Sequence, residues 1–196
     1  MPELLIFDPL HTAVLSMDNQ AGIIAAYVSD HEAMLTRAAS VLETARNKGM
    51  CVIHVQVGFR PGIPEVGSRN PLFGALKASV QHRQLFEGPS GAIHPRLAPQ
   101  ADDIVVTKHR VSAFKGTDLD MILRAKEIDT LVLFGIATSG VVLSTLLEAS
   151  DADYRIFVIR DCCADLDAEL HSNLLDKLFS RRATVLTASE FAAAVS

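Results

Sequence analysis

The sequence predicts an α/β fold, a three-layer α/β/α, Rossmann-like arrangement with a six-stranded parallel sheet. Three observations predict it. Apolar, β-branched runs alternate with stretches of helical periodicity along the chain, the pattern of consecutive βαβ units. Three of those runs, in VLSMDNQ, IVVTK and LVLFGIATSGVV, break into polar or small residues at their C-terminal ends, as strands do where a parallel sheet opens onto its ligand crevice. With 196 residues and 49% hydrophobic content, the chain can fill one well-packed core and falls short of two. It reads as a single domain over 1–196, without internal repeat, low-complexity tract or linker.

The elements follow in order. Thr12 to Met17 is strand one. A helix is predicted from His31 to about Lys48, with Asp30 as candidate cap: Ala33, Leu35, Ala38, Val41, Leu42 and Ala45 recur at helical spacing, and Gly49 stops it. Cys51 to Val57 is strand two, rich in β-branched residues. From Gly58 to Gln100 the pattern gives way to Gly, Pro and polar residues around a helical stretch from Leu72 to Gln84. Connections this long in compact domains are often functional. Ile104 to Thr107 is strand three, Thr117 to Glu127 a helix capped by Thr117, and Thr130 to Phe134 strand four. A helix from Val141 to Ser150, strand five from Arg155 to Ile159, a helix from Ala168 to Phe179, strand six from Thr184 to Leu186 and a terminal helix from about Ser189 complete the chain. Helical crossovers between the strands imply a parallel sheet covered on both faces.

Composition narrows the partners. A net charge of -5 without a basic stripe argues against nucleic acid or an anionic membrane, because phosphate recognition needs clustered Lys and Arg. The N-terminal MPELLIFDPLHTAVL has neither a positive start nor a long apolar core, so it is not read as a signal peptide. No apolar run approaches the roughly 18 residues of a membrane span. Cys51, Cys162 and Cys163 are an odd set without framework spacing, which suits reduced thiols and a cytoplasmic location.

In this topology the ends of strands one, three and four bring Asp18, Lys108 and the turn from Gly135 to Val141 to one crevice. Asp18 is either a cap for the segment that follows or an acid-base group tuned by burial and by Lys108. Lys108 either reaches solvent or pairs with Asp18. The turn opens a helix, whose free N–H groups suit a developing oxyanion; alternatively Gly135 and Gly140 only permit close packing. His54 lies within strand two and His94 precedes Pro95, and neither has a metal-ligand spacing with another side chain. Ala137 stands where a dinucleotide fingerprint needs its second glycine, so no cofactor is expected. Arg60 and Arg110 are either solvated or available to a substrate carboxylate. Thr138 and Ser139 are read as helix caps or as substrate contacts.

The segments SMDNQ and HPRLAPQADDIVVTKHRVSAFKGTDLDMILRAKEIDTLVLFGIATSGVVLSTLLEASDADYRIFVIRDCCAD together resemble the isochorismatase-like hydrolase superfamily, which includes nicotinamidases, other cysteine amidohydrolases and isochorismatases. The likeness runs from about Thr12 to Leu186, with three motifs in family order. It implies a catalytic triad in which Asp18 and Lys108 take the family's aspartate and lysine, while Val141 stands at the nucleophilic cysteine. It also implies a cis peptide at Ile136-Ala137, an oxyanion hole from the Ala137 and Val141 amides, and Gln20, Phe114 and Thr138 at the substrate. The metal-binding Asp-x-His of nicotinamidases is absent from HVQVGFRPGIPE, so no metal is expected. A valine has no nucleophilic atom. Isochorismatases also lack the thiol there, having glycine, and cleave a vinyl ether by protonation and water addition. The resemblance therefore implies thiol-independent hydrolysis of a small-molecule metabolite by a homo-oligomer, dimer or tetramer. A catalytically silent small-molecule-binding protein of the same fold is the second reading, and an amidohydrolase with a relocated cysteine the third.

Overall fold

The computed structural model describes residues 7–195. Met1 to Ile6, and with them part of the stretch read for targeting features, lie outside the described residues. Six strands form one parallel sheet in the order β3-β2-β1-β4-β5-β6. They are β1 Thr12–Met17, β2 Cys51–Val57, β3 Ile104–Lys108, β4 Thr130–Gly135, β5 Arg155–Ile159 and β6 Thr184–Leu186. Chain order reverses between β1 and β4, the switch point where α/β sheets open a crevice at their C-terminal edge. Every residue of β1 and β4 is buried, which explains their largely apolar character. The edge strand β3 instead alternates, with Val105 and Thr107 exposed and Val106 and Lys108 buried.

Helices cover the sheet. Ala21–Tyr27 (α1) falls in a stretch left unassigned by the sequence reading, because AGIIAAY is too short for a clear period. His31–Asn47 (α2) buries Met34, Leu35, Ala38, Val41, Leu42 and Ala45 as one stripe. Gly49, at φ 76°, supplies the left-handed residue that ends it. Asp30, the expected cap, makes no side-chain capping bond, so that assignment is corrected. The stretch from Leu72 to Gln84 is two helices, Pro71–Ala78 (α3) and Val80–Gln84 (α4), broken where the Ser79 hydroxyl accepts from His82 N. A serine that offers the backbone an alternative acceptor favours such a break. Gly88–Gly91 (α5) follows, and a small cluster of Ile63, Val66 and Phe73 gives this long connection a core of its own.

Leu119–Ala125 (α6) starts where Thr117 Oγ1 accepts from Leu119 N. The helix expected from Val141 begins instead with a wide π turn, Thr138–Val142, and becomes α-helical over Leu143–Asp151 (α7). The helix expected from Ala168 to Phe179 is α-helical only over Ala168–Asn173 (α8), then widens over Leu174–Leu178. Ala188–Ala194 (α9) carries a reciprocal capping box between Thr187 and Glu190. Among the described residues, no helix is long and apolar enough to cross a membrane.

Candidate active site

The C-terminal ends of β1, β3 and β4 meet at a cavity of about 660 Å³. Asp18, Lys108, Ile136, Ala137 and Val141 all line it. The register explains the meeting: Met17 pairs with both Val55 and Gly135, and Val57 with Lys108, so the residues ending each strand come level at one edge.

Asp18 is 6% exposed and Lys108 2% exposed, and their side chains form an ion pair with Nζ 2.8 Å from Oδ2. Lys108 Nζ also donates to Arg110 O at 3.0 Å, which fixes its direction. Asp18 Oδ1 is buried without a hydrogen-bond partner. Loss of water pushes the Asp18 carboxyl up from an ordinary 3.8 to about 6, against the opposing pull of the Lys108 charge and its hydrogen bond. Asp18 also adopts φ 56°, in the left-handed region that Asp enters more readily than most residues. Its amide still bonds to Val55 O at 2.8 Å, so the ladder with β2 runs on while the side chain turns into the cavity.

The turn after β4 is held on several sides. Gly135 is at φ 150°, and a Cβ there would lie 2.0 Å from Met17 O, so only glycine lets β4 approach β1 this closely. The Ile136-Ala137 peptide is cis. Thr138 N donates to Ala164 O, Gly140 N and Val142 N to Ala137 O, and Ser139 N to the Asp165 carboxylate at 2.7 Å. The amides of Ala137 and Val141 take no part in these bonds. Asp165 lines the cavity and caps the turn, a role the sequence reading gave to Thr138 and Ser139. Only the succession of acidic residues after Cys163 hinted at it.

Three residues that the family resemblance places at the substrate do not line this cavity. Gln20 is fully buried and does not line the cavity: its Nε2 donates to Val57 O at 3.0 Å and Gly91 O at 2.7 Å, and its Oε1 accepts from Val57 N at 2.7 Å. It clamps β2 to α5. Phe114 packs near Tyr154, with ring centroids 6.1 Å apart, away from the cavity. Thr138 is buried, with Oγ1 donating to Ala164 O at 3.1 Å and 2.8 Å from His171 Nδ1. Gln20 and Thr138 follow the C-terminal ends of β1 and β4 with their side chains consumed by the scaffold, whereas Phe114 packs on Tyr154, just before β5 towards the other edge of the sheet. The cavity is instead walled by apolar residues of the long connection, among them Leu72, Phe73, Leu76, Leu85 and Phe86.

The remaining candidates fall elsewhere. His54 is buried against Asp103, its Nε2 3.2 Å from Oδ2. His94 caps a short turn by accepting from Arg96 N. Arg60 pairs with Glu65 at 2.6 Å and lines a neighbouring cavity of about 610 Å³ that contains neither Asp18 nor Lys108. Cys51 opens β2, at the opposite end of the sheet. Cys162 and Cys163 are buried; Cys163 donates to Ile159 O, and burial pushes its thiol up to about 12, the reverse of a nucleophile's tuning. Among the described residues, no cysteine lines the larger cavity.

Comparison with known proteins agrees with this fold. The Isochorismatase domain family matches residues 12–190. The chain is 31% identical to the maleamate amidohydrolase of Pseudomonas putida over 79% of its length and 71% of the relative's. It is 33% identical to the isochorismatase of Bacillus subtilis over 93% of its length, spanning 57% of that protein. An isochorismatase family protein of Burkholderia thailandensis superposes with a TM-score of 0.84 at 28% identity, covering 98% of this chain and 99% of that one. The chain belongs to the isochorismatase-like hydrolase family.

Proposed function

We propose that this protein hydrolyses a small metabolite without a thiol nucleophile, using Asp18 as general acid and Lys108 as the partner that holds it. The observation that carries this reading is the state of Asp18. With its carboxyl pushed to about 6, on the order of a tenth of the molecules hold the proton at pH 7, and a general acid works best near its operating pH. Oδ2 is held by Lys108, while Oδ1 is the oxygen left for a substrate proton.

A second feature favours acid chemistry over acyl transfer. In acyl transfer, negative charge develops at the start of the helix and is stabilised by its amides. Here the Asp165 carboxylate already occupies that terminus, bonded to Ser139 N. A fixed anion there opposes an oxyanion and favours a cation. Vinyl-ether hydrolysis suits that field. Asp18 delivers a proton to the terminal vinyl carbon, leaving an oxocarbenium ion; water adds to the cationic carbon and returns a proton to the Asp18 carboxylate, and the hemiketal collapses to a ketone and an alcohol. Val141 is then a wall of the cavity, and the Ala137 and Val141 amides orient the substrate.

Pyruvate release from isochorismate by the purified protein tests the reading, run beside Asp18→Ala and beside an alkylated sample. Turnover that survives alkylation and falls by at least about a hundredfold in Asp18→Ala is expected, the usual scale of a lost general acid. Turnover unchanged in Asp18→Ala contradicts the assignment of the acid. Turnover abolished by alkylation returns the chemistry to a cysteine.

A further inference from the structure

We infer that the cavity takes an anionic substrate whose carboxylate is bound by Arg110 at the β3 end of the crevice. This extends the proposed function by naming a substrate class, and it rests on the same cavity serving as the active site.

Arg110 lines the cavity two residues beyond Lys108. Its backbone is tied to the reacting pair, since its carbonyl accepts from Lys108 Nζ at 3.0 Å. The side chain is braced as well. Its Nη2 donates to Glu65 O at 2.8 Å, its Nη1 to His109 O at 2.6 Å, and the guanidinium carbon lies 5.4 Å from the centre of the Phe73 ring. These partners fix the direction of the fork without cancelling its charge, because carbonyls and an aromatic face are neutral.

Six of the other arginines show the contrast. Arg37, Arg46, Arg60, Arg96, Arg124 and Arg160 each sit within ion-pair distance of an Asp or Glu. Among the described residues Arg110 has no such ion pair, although Glu65 lies beside it. Glu65 gives Arg110 its carbonyl and commits its carboxylate to Arg60. A half-buried guanidinium held in this way retains free N–H donors in the planar fork that matches a carboxylate.

The rest of the cavity sets how such a ligand lies. Asp18 and Lys108 offset each other, leaving Arg110 and Asp165 as charges of opposite sign. Arg110 follows β3 and Asp165 follows β5, and β2, β1 and β4 stand between those strands. An anionic group is therefore drawn to the β3 end and repelled from the β5 end, which places the uncharged remainder of the molecule along the ends of β1 and β4, beside Asp18. The apolar walls from α3 and from Leu85 and Phe86 suit a ring or an unsaturated chain in that position.

The test uses binding and needs no turnover. Benzoate, cinnamate and crotonate, each beside its carboxamide, are titrated calorimetrically into the wild-type protein, Arg110→Gln and Asp18→Ala. For at least one pair, the carboxylate is expected to bind the wild type about tenfold or more tightly than its amide, the worth of one charge-assisted contact. That preference should fall to near parity in Arg110→Gln while amide affinity is kept, and should persist in Asp18→Ala. Equal binding of acid and amide, absence of saturable carboxylate binding, or a preference that survives in Arg110→Gln would each overturn the inference. Loss of the preference in the wild type leaves the Asp18 assay of the proposed function unaffected, so the two can fail separately.

Discussion

Asp18 shows how one side chain can be legible in sequence while its chemistry is not. Its place at the end of a buried strand followed from the break in VLSMDNQ, but its protonation rests on a balance between lost hydration and Lys108 that only the packed geometry decides. The sign has a consequence for stability. The folded chain binds this proton more tightly than the unfolded chain, so the Asp18 contribution is fully present below the ordinary value of 3.8 and is lost as pH rises through about 6. Denaturant unfolding of wild type beside Asp18→Asn checks it: the wild type should lose stability relative to the variant across that window, and a gain would reverse the sign. Gln20, Phe114 and Thr138 carry the opposite lesson. The family resemblance placed all three at the substrate, yet the scaffold uses their polar groups or ring. No single-position signal separates a side chain that faces the cavity from one that faces the backbone beside it.

At the scale of elements, the strands were the most readable part, because burial on both faces leaves a largely apolar run. Helix starts were less so: Asp30 has the right chemistry for a cap and makes no capping bond, while Asp165 caps the turn after β4 from a different strand's connection. Long-range capping leaves no local pattern. The turn itself yields two predictions. Gly135→Ala would drive a Cβ into Met17 O, and should destabilise the chain by more than about 3 kcal/mol or prevent folding, read from thermal or denaturant unfolding. Val141→Cys should acquire a thiol that is acylated slowly by an activated ester, because Asp165 opposes the oxyanion. Adding Asp165→Asn should speed that acylation by roughly threefold to tenfold, the scale of removing an unfavourable charge at a helix terminus. Equal rates in the single and double variants would remove Asp165 from the electrostatics of the turn.

For the molecule as a whole, the switch point between β1 and β4 decides where chemistry can occur, and the long connection from Gly58 to Gln100 decides what can enter. The first was legible from the alternation of strands and helices; the second was not, since Gly- and Pro-rich sequence gives no period and within it α3 packs on α4 and α4 on α5. Assembly is a proposal at this scale. The family resemblance implies a dimer or tetramer, and sedimentation should give two or four times the chain mass of 21.2 kDa. A monomer at assay concentration would contradict it.

The central claim is that burial raises the Asp18 carboxyl far enough for a fraction of the molecules to hold its proton near neutral pH, in a cavity lined by no cysteine among the described residues. Its most direct test is a carbon NMR titration of the side-chain carboxyl of Asp18, assigned by its loss in Asp18→Asn. A midpoint at about 6, moving higher in Lys108→Gln as the opposing positive charge is removed, is the predicted result. A carboxyl that titrates near its ordinary 3.8, and so stays ionised throughout the neutral range, would contradict the account.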